Sequence, residues 1–358
     1  MIKRILYLFI VCSLFFSVNL RAQSLDETLS KLSSTVGAKY VKPVISAFGS
    51  NLNSGWVSQV PSASRLSFHL DLKIVAMGSF FDDDSKNFGA QGTFNFSGSQ
   101  VDQILSNSNL TPASMGQSNY NDLRQGMINK QFSVTFSGPT IIGKKSDHLN
   151  IVFPSQTVTS ASGNNQYTVQ QYLVDVPEVY GYLDELPILP TGAVQLTVGT
   201  IFGTNVSVRY LPDIDIKDMG KFSYFGIGLI HNIRVWLPNP LPLDIAAGFF
   251  TQKLKVGDIF ESNATQFGVY ASKTFGVGIS IAPYIGFTIE TSKTTVTYDY
   301  IYPVQGVQTT THISFDLEGE NTSSAVIGFN LHLGVVNINA DYKLAKTKTA
   351  SAGISFGF

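Results

Sequence analysis

From residue 277 to the end, apolar and polar residues alternate along the chain. Val277, Ile279, Ile281, Ile285, Phe287 and Ile289 share one face, Pro283 being the exception, while Gly278, Ser280, Ala282, Tyr284, Gly286, Thr288 and Glu290 hold the other. Ala325, Ile327, Phe329, Leu331 and Leu333 oppose Val326, Gly328, Asn330, His332 and Gly334 in the same way. Val336, Ile338, Ala340, Tyr342 and Leu344 oppose Asn337, Asn339, Asp341 and Lys343, and Ala350, Ala352, Ile354, Phe356 and Phe358 oppose Thr349, Ser351, Gly353, Ser355 and Gly357. A period of two marks β-strands, whose successive side chains leave opposite faces. The apolar face carries no charge in any of these stretches. A lipid-facing wall imposes that rule, because a Lys or Arg there costs ~2–4 kcal/mol near the midplane, whereas a lumen tolerates polar groups. Lipid cannot satisfy a free strand edge, so such strands must close. About 11 residues at ~3.3 Å rise and ~45° tilt climb roughly the ~25 Å of the apolar band, and the runs have that length. The expected fold is all-β: a transmembrane antiparallel up-and-down barrel over 64–358, with about 14 strands (roughly 12 to 16, bacterial barrels being even-numbered).

Earlier alternation is less decisive. Leu66, Phe68, Leu70, Leu72 and Ile74 alternate with Ser67, His69, Asp71 and Lys73, as they would in a soluble sheet with one wet face. Gly334-Val335, Ala345-Lys346-Thr347 and Phe202-Gly203-Thr204 read as tight turns, and 177–192, 211–221 and 256–263 as longer charged loops. The runs 277–300 and 309–333 read as one tall hairpin, with Tyr298, Tyr300 and Tyr302 near an outer aromatic girdle. Residues 78–130 show little periodicity and fit a long loop, a partial plug or poorly formed strands.

Upstream the period becomes helical. Ser24 and Glu27 have capping-box spacing, Leu25, Leu29, Leu32 and Val36 share a helical face, and Pro43 is expected to break or restart the helix. A helix of ~12 residues is marginal alone in water. The segment 23–63 therefore packs at the barrel mouth or plugs the lumen, where Tyr284, Val326 and Phe250 offer apolar contact.

The first residues read as an address. Lys3 and Arg4 precede an apolar run from Ile5 to Val18, and Leu20-Arg21-Ala22 offers a cut before Gln23. That is the plan of a secretory signal peptide, 1–22, too short for a membrane-spanning helix. Cys12, the one cysteine, leaves with it, so neither a disulfide nor a thiolate metal site is expected. Without Lys3, Arg4 and Arg21 the chain keeps 21 of its 24 basic residues against 25 acidic ones, which gives no basic surface for nucleic acid. Charged residues are 14% of the chain, against ~25% in ordinary globular domains. Low charge with no membrane helix after the leader leaves a large β-protein or a lipid-embedded barrel, and the strand patterning decides between them.

Candidate chemistry is sparse. His69, Asp71, Lys73, Tyr284, Glu290, His332, Asp341 and Lys343 fall on the polar faces and are the lumen-facing candidates. Gly353-Ile354-Ser355-Phe356-Gly357 matches the G-x-S-x-G form of serine hydrolases, but that serine needs a strained strand-to-helix turn, and only Phe358 follows. None of His69, His148, His231, His312 and His332 stands at i, i+2 or i, i+4 to another. Asp82-Asp83-Asp84-Ser85 lacks the spacing of a calcium loop. No catalytic residue, metal site or cofactor is expected, and no enzyme.

Ile354-Ser355-Phe356-Gly357-Phe358 resembles the terminal tail read by barrel-assembly machinery, which would make Phe356 and Phe358 an assembly signal. Gly203 through Pro212, and Phe225 through Asn232 running on to Trp236-Leu237-Pro238 and Leu241-Pro242-Leu243-Asp244-Ile245, resemble a functionally uncharacterised family of exported barrel proteins. The layout is also distantly similar to FadL-type long-chain fatty-acid transporters, although Asn51-Leu52-Asn53-Ser54-Gly55-Trp56 stands where those carry an Asn-Pro-Ala element. The resemblance implies outer-membrane location, lipid and the assembly machinery as partners, and a porin-like channel or transporter for a small, hydrophobic molecule. The alternative is a structural or surface-interaction barrel without transport. A continuous lumen would favour the first, a filled lumen under large ordered loops the second.

Overall fold

The computed structural model describes residues 33–63, 68–199, 201–216, 220–237, 242–304 and 307–357. The proposed leader 1–22, most of the expected 25–36 helix, the boundary at 64 and Phe358 lie outside them. The chain opens with helix α1 (Ser34–Leu52) and strand β1 (His69–Phe80). Then come β2 (Asn87–Phe94), α2 (Gly98–Asn107), α3 (Pro112–Met115), α4 (Gln117–Asn129), β3 (Phe132–Pro139) and β4 (His148–Phe153). Next are β5 (Gln156–Thr159), β6 (Gln166–Val169), β7 (Tyr172–Tyr180), β8 (Ile188–Gly199), β9 (Thr204–Ile216), β10 (Gly220–Asn232), β11 (Asp244–Val256) and β12 (Phe260–Ser272). The chain ends with β13 (Phe275–Val277), β14 (Ile279–Val304), β15 (Val307–Glu318), β16 (Ser323–Leu333), β17 (Val336–Leu344) and β18 (Thr349–Gly357).

β1 pairs with β8 on one side and with β18 on the other. The circuit β1-β8-β9-β10-β11-β12-β14-β16-β17-β18 thus closes a ten-stranded antiparallel barrel. The all-β transmembrane barrel is there, but about 14 strands was too many. The surplus came from residues 81–187, whose strands leave the wall: β2-β3-β4-β7 form a four-stranded sheet and β5-β6 a hairpin. Alternation cannot separate these from barrel strands, because a sheet packed on one side in water has the same period.

The excursion 81–187 is a folded module at one rim. Residues 78–130, which as sequence fitted a loop, plug or poor strands, are the end of β1, strand β2 and helices α2 to α4. Val101, Leu105, Leu123, Met127, Phe132 and Val158 form the module's own core. Ser97 caps α2 with a reciprocal capping box, its side chain taking the Gln100 N–H while Gln100 reaches back. Arg124 grips Asp102 through two nitrogens at 2.6 and 3.0 Å, and Tyr120 adds a third bond at 2.9 Å. Arg124 first, and Tyr120 after it, hold the Asp102 carboxyl below its usual range.

The wall follows the alternation. Ile281, Ile285, Phe287, Ile289, Ile327, Phe329, Ile354 and Phe356 are exposed on the outer face, whereas Ala282, Tyr284, Thr288, Glu290, Asn330 and Ser355 are buried inside. The tall hairpin differs from expectation in its return limb. β14 pairs through Ile279–Ile289 with β16 and through Lys293–Val304 with β15, so the limb is two strands. Tyr298 and Tyr300 are not girdle residues: Tyr298 is buried and its ring packs against Gly37 of α1, and Tyr300 packs on the same core. The side chain of Tyr302 lies outside the described residues. The expected loops 211–221 and 256–263 are mostly strand, with β9 and β11 running to Ile216 and Val256. Their charges mark where strands leave lipid, since backbone pairing continues unchanged into water. Lys253 and Lys255 both reach Glu261 there, and Lys293 meets Asp316 at 2.7 Å.

Candidate functional site: the plugged lumen

An eight-stranded barrel fills itself with side chains, and a wider one needs other filling. Here the N-terminal segment supplies it. Pro43 does not break α1, which runs on to Leu52. The carbonyl that a proline at 43 leaves without its helical donor is that of Lys39, an exposed residue that water can reach. Val36, Tyr40, Val41, Val44, Ile45, Phe48 and Leu52 are all buried, sharing one core with Leu254, Phe260 and Tyr298 of the barrel and Ile141, Ile142 and Val179 at the module base. Among these, Tyr40 donates to the Tyr180 carbonyl at 2.8 Å. Module, tall hairpin and helix thus close the upper mouth together.

Below Leu52 the chain continues through the lumen to the opposite rim. Gly55 takes a φ of +65° and leaves no room for a side chain, since a Cβ would stand 2.9 Å from Ser351 Oγ and 3.0 Å from Val75. Trp56 stacks on Phe250 at 5.0 Å. Tyr284 donates to the Val57 carbonyl at 2.9 Å, Asn330 to Gln59 at 3.1 Å, and Asn232 to the Pro61 carbonyl at 2.5 Å.

Three buried cations of the wall hold this strap. Lys343 Nζ donates to the Ser50 carbonyl at 2.9 Å, Arg209 Nη1 to the Ser54 carbonyl at 2.9 Å, and Lys73 Nζ to the Gly55 carbonyl at 2.7 Å. The last turn of α1 has no basic residue of its own, so the wall supplies the positive charge that the negative end of a helix dipole favours. Arg209 also lies over the Trp56 ring at 3.9 Å and donates to Gln195 at 2.8 Å. Lys343 pairs with Glu290 at 3.0 Å with both side chains at most 1% exposed, and an Asp341 carboxylate oxygen lies 2.9 Å from the same Tyr284 hydroxyl that faces the Val57 carbonyl.

Of the lumen candidates, Asp71, Lys73, Tyr284, Glu290, Asp341 and Lys343 are buried inside the wall. Lys73, Tyr284, Glu290, Asp341 and Lys343 meet the strap or one another instead of lining an open passage, and Asp71 faces Asn337 at 3.5 Å. His69 and His332 are half-buried, His332 sharing a 2.6 Å hydrogen bond with Asn337. Phe250 and Val326 also face inward, Val326 lining the residual cavity. Sequence reading missed Arg209, Gln195, the helix-end residues Ser50 and Asn51, and the strap residue Gly55. Arg209 was legible, as the one charge between the outward Val208 and Tyr210; Ser50, Asn51 and Gly55 carried no signal. The lumen retains a cavity of about 10 Å³ lined by Asn53, Trp56, Gln266, Tyr270, Tyr284 and Asp341. That is room for a single water.

Elsewhere the chemistry is thin. Ser355 is an inner-face residue of regular strand β18. Asp82 to Ser85 form a surface turn in which Asp83 pairs with Lys86 at 2.9 Å and is held below the usual carboxylate range by it. Among the described residues no group of three or more His, Cys, Asp or Glu could hold a metal.

A family model described as "Family of unknown function (DUF6588)" matches residues 1–358. The chain belongs to this family. No curated protein matches it. Among solved structures, the N-terminal β-barrel domain of Pseudomonas aeruginosa OprF is similar at 13% identity and TM-score 0.21, covering 43% of this chain and 96% of that one. In-vitro folded Vibrio cholerae OmpT, in its trimer form, is similar at 10% identity and TM-score 0.20, covering 82% of this chain and 98% of its own. Salmonella typhi OmpF in complex with daunomycin is similar at 11% identity and TM-score 0.18, with 81% and 97% covered. The DUF6588 chain is a closed antiparallel β-barrel with an apolar outer face. The FadL-like layout is not supported, since the wall has ten strands and not about 14.

Proposed function

We propose that this protein is a sealed outer-membrane barrel that displays the module 81–187 at the cell surface, for structural or interaction purposes, with no transport through its lumen. The carrying observation is the strap, which crosses the barrel and leaves a cavity of about 10 Å³. A channel for a small hydrophobic molecule would require residues 53–62 to move, breaking the bonds to Lys73, Arg209, Tyr284 and Asn232 together. The large ordered excursion is the other half of the argument. Export through a leader cut near Ala22 is part of this reading, as are lipid contact along the apolar outer face and recognition of the Phe356 and Phe358 tail by the assembly machinery.

Purified protein in planar bilayers should show no steady ion conductance. Sustained single-channel steps from the intact chain would favour the channel instead. Removing Phe358 should lower the amount of heat-modifiable barrel in the outer membrane severalfold while precursor processing stays intact. Assembly of the truncated chain at the normal rate would reduce the tail to an ordinary strand end.

A further inference from the structure

We propose that α1 is the template on which the barrel closes. The last turn of α1 is stitched to the seam between the first and last strands. Ser79 of β1 and Thr349 of β18 are register partners at the upper end of that seam, and their hydroxyls lie 2.8 Å apart. The Ser79 hydroxyl also donates to Asn51 Oδ1 at 2.8 Å, and Thr349 shares a 2.6 Å hydrogen bond with Ser50. Ser50 Oγ also receives Asn321 at 2.9 Å, and the Thr347 carbonyl beside it, 2.9 Å away, accepts from the same Asn321 amide at 2.9 Å. Asn51 in turn donates to the Leu189 carbonyl of β8, the other neighbour of β1. A continuous chain of hydrogen bonds thus joins one turn of helix to both sides of the seam. Ser50, Asn51, Ser79 and Thr349 are each at most 1% exposed.

Separation along the sequence gives this arrangement a direction. Asn51 and Ser79 are 28 residues apart, whereas the Ser79–Thr349 contact spans 270. Closure entropy rises with the separation of the joined residues, and non-local pairing is slow. A helix beside β1 in sequence docks on it early, and β18 then meets a surface that already presents Ser50, Gly55 and Asn51. Gly55 lies against Val75 of β1 and Ser351 of β18, so the close fit spans the same seam. This role concerns assembly and does not depend on what the module contacts.

The test uses the full chain refolded from urea into lipid vesicles. Closure is followed by thiol cross-linking of the A76C/A352C pair, which are register partners on the outer face of the seam. Ser50→Ala should slow closure about fivefold, the factor expected when a lost buried hydrogen bond is already formed at the rate-limiting step, and change the opening rate less than about twofold. Ser79→Ala, which leaves the helix intact, should behave alike and decides the matter if Ser50→Ala yields no closed barrel. Thr288→Ala, which removes the Thr288–Ser324 hydroxyl pair between β14 and β16, serves as the control and should leave closure unslowed. Unchanged closure with faster opening in the Ser50 and Ser79 variants would make the contacts a late latch and overturn the proposal, as would equal slowing by Thr288→Ala.

Discussion

Replacing Lys343 by methionine should destabilise the folded barrel by about 3–5 kcal/mol, the cost of leaving one partner of a buried ion pair uncompensated. Glu290 would be that partner: both its carboxylate oxygens accept from Lys343 Nζ, at 3.1 and 3.0 Å. The Ser50 carbonyl at the end of α1 would lose its cation as well. The readout is the urea midpoint of the heat-modifiable form in vesicles. Adding Glu290→Gln to Lys343→Met should recover most of the loss, since the unpaired charge is then gone and only the helix-end contact is missing. If the single variant keeps its midpoint, the pair is not buried in the way the structure places it. If the double variant is no better than the single, the helix-end bond and not the ion pair dominates.

The second large effect is at the lipid face. Ala352→Arg should impair assembly, with a loss of ~2–4 kcal/mol if residue 352 sits near the bilayer midplane. Ala352 pairs with Ala76 and Ala340, and all three belong to the outward-facing set. The neighbouring inward residue Ser351 looks from sequence like the tolerant control, because a lumen accepts charge. The structure removes that expectation: Ser351 Oγ lies 2.9 Å from where a Gly55 Cβ would be, so an arginine there would collide with the strap. The better control is Val335→Arg, in the exposed turn between β16 and β17. Folded yield in outer membranes should fall severalfold for Ala352→Arg and stay near wild type for Val335→Arg. Equal yields would refute the outward assignment of Ala352.

How far the sequence reached depends on the range of the interaction being read. Alternation is set within one strand by the pleat, and exclusion of charge from lipid acts on each residue separately. Both survive in a linear string, so β14 and β16 to β18 were readable with their inward and outward faces, and the barrel class with them. Lys73, Glu290, Asp341 and Lys343 could be placed on the polar face for the same reason. Strand number was not readable, because the module sheet uses the same period as the wall and only pairing tells β2 from β8. The charges of 211–221 and 256–263 suggested loops, when they mark strands leaving the membrane. Pro43 suggested a break that helix packing overrides.

What the lumen contains was decided by tertiary structure alone. Ser50, Ser54 and Gly55 are unremarkable as letters, since a carbonyl and an absent side chain leave no compositional trace. Their role arises when closure brings Lys343, Arg209 and Lys73, from strands far apart in sequence, to one helix end. By itself the sequence determined a barrel wall with a polar inside and an apolar outside, because those are local consequences of pleat and solvent. Only the fold determined that the inside is full, because filling a lumen is a property of the closed circuit and belongs to no single strand.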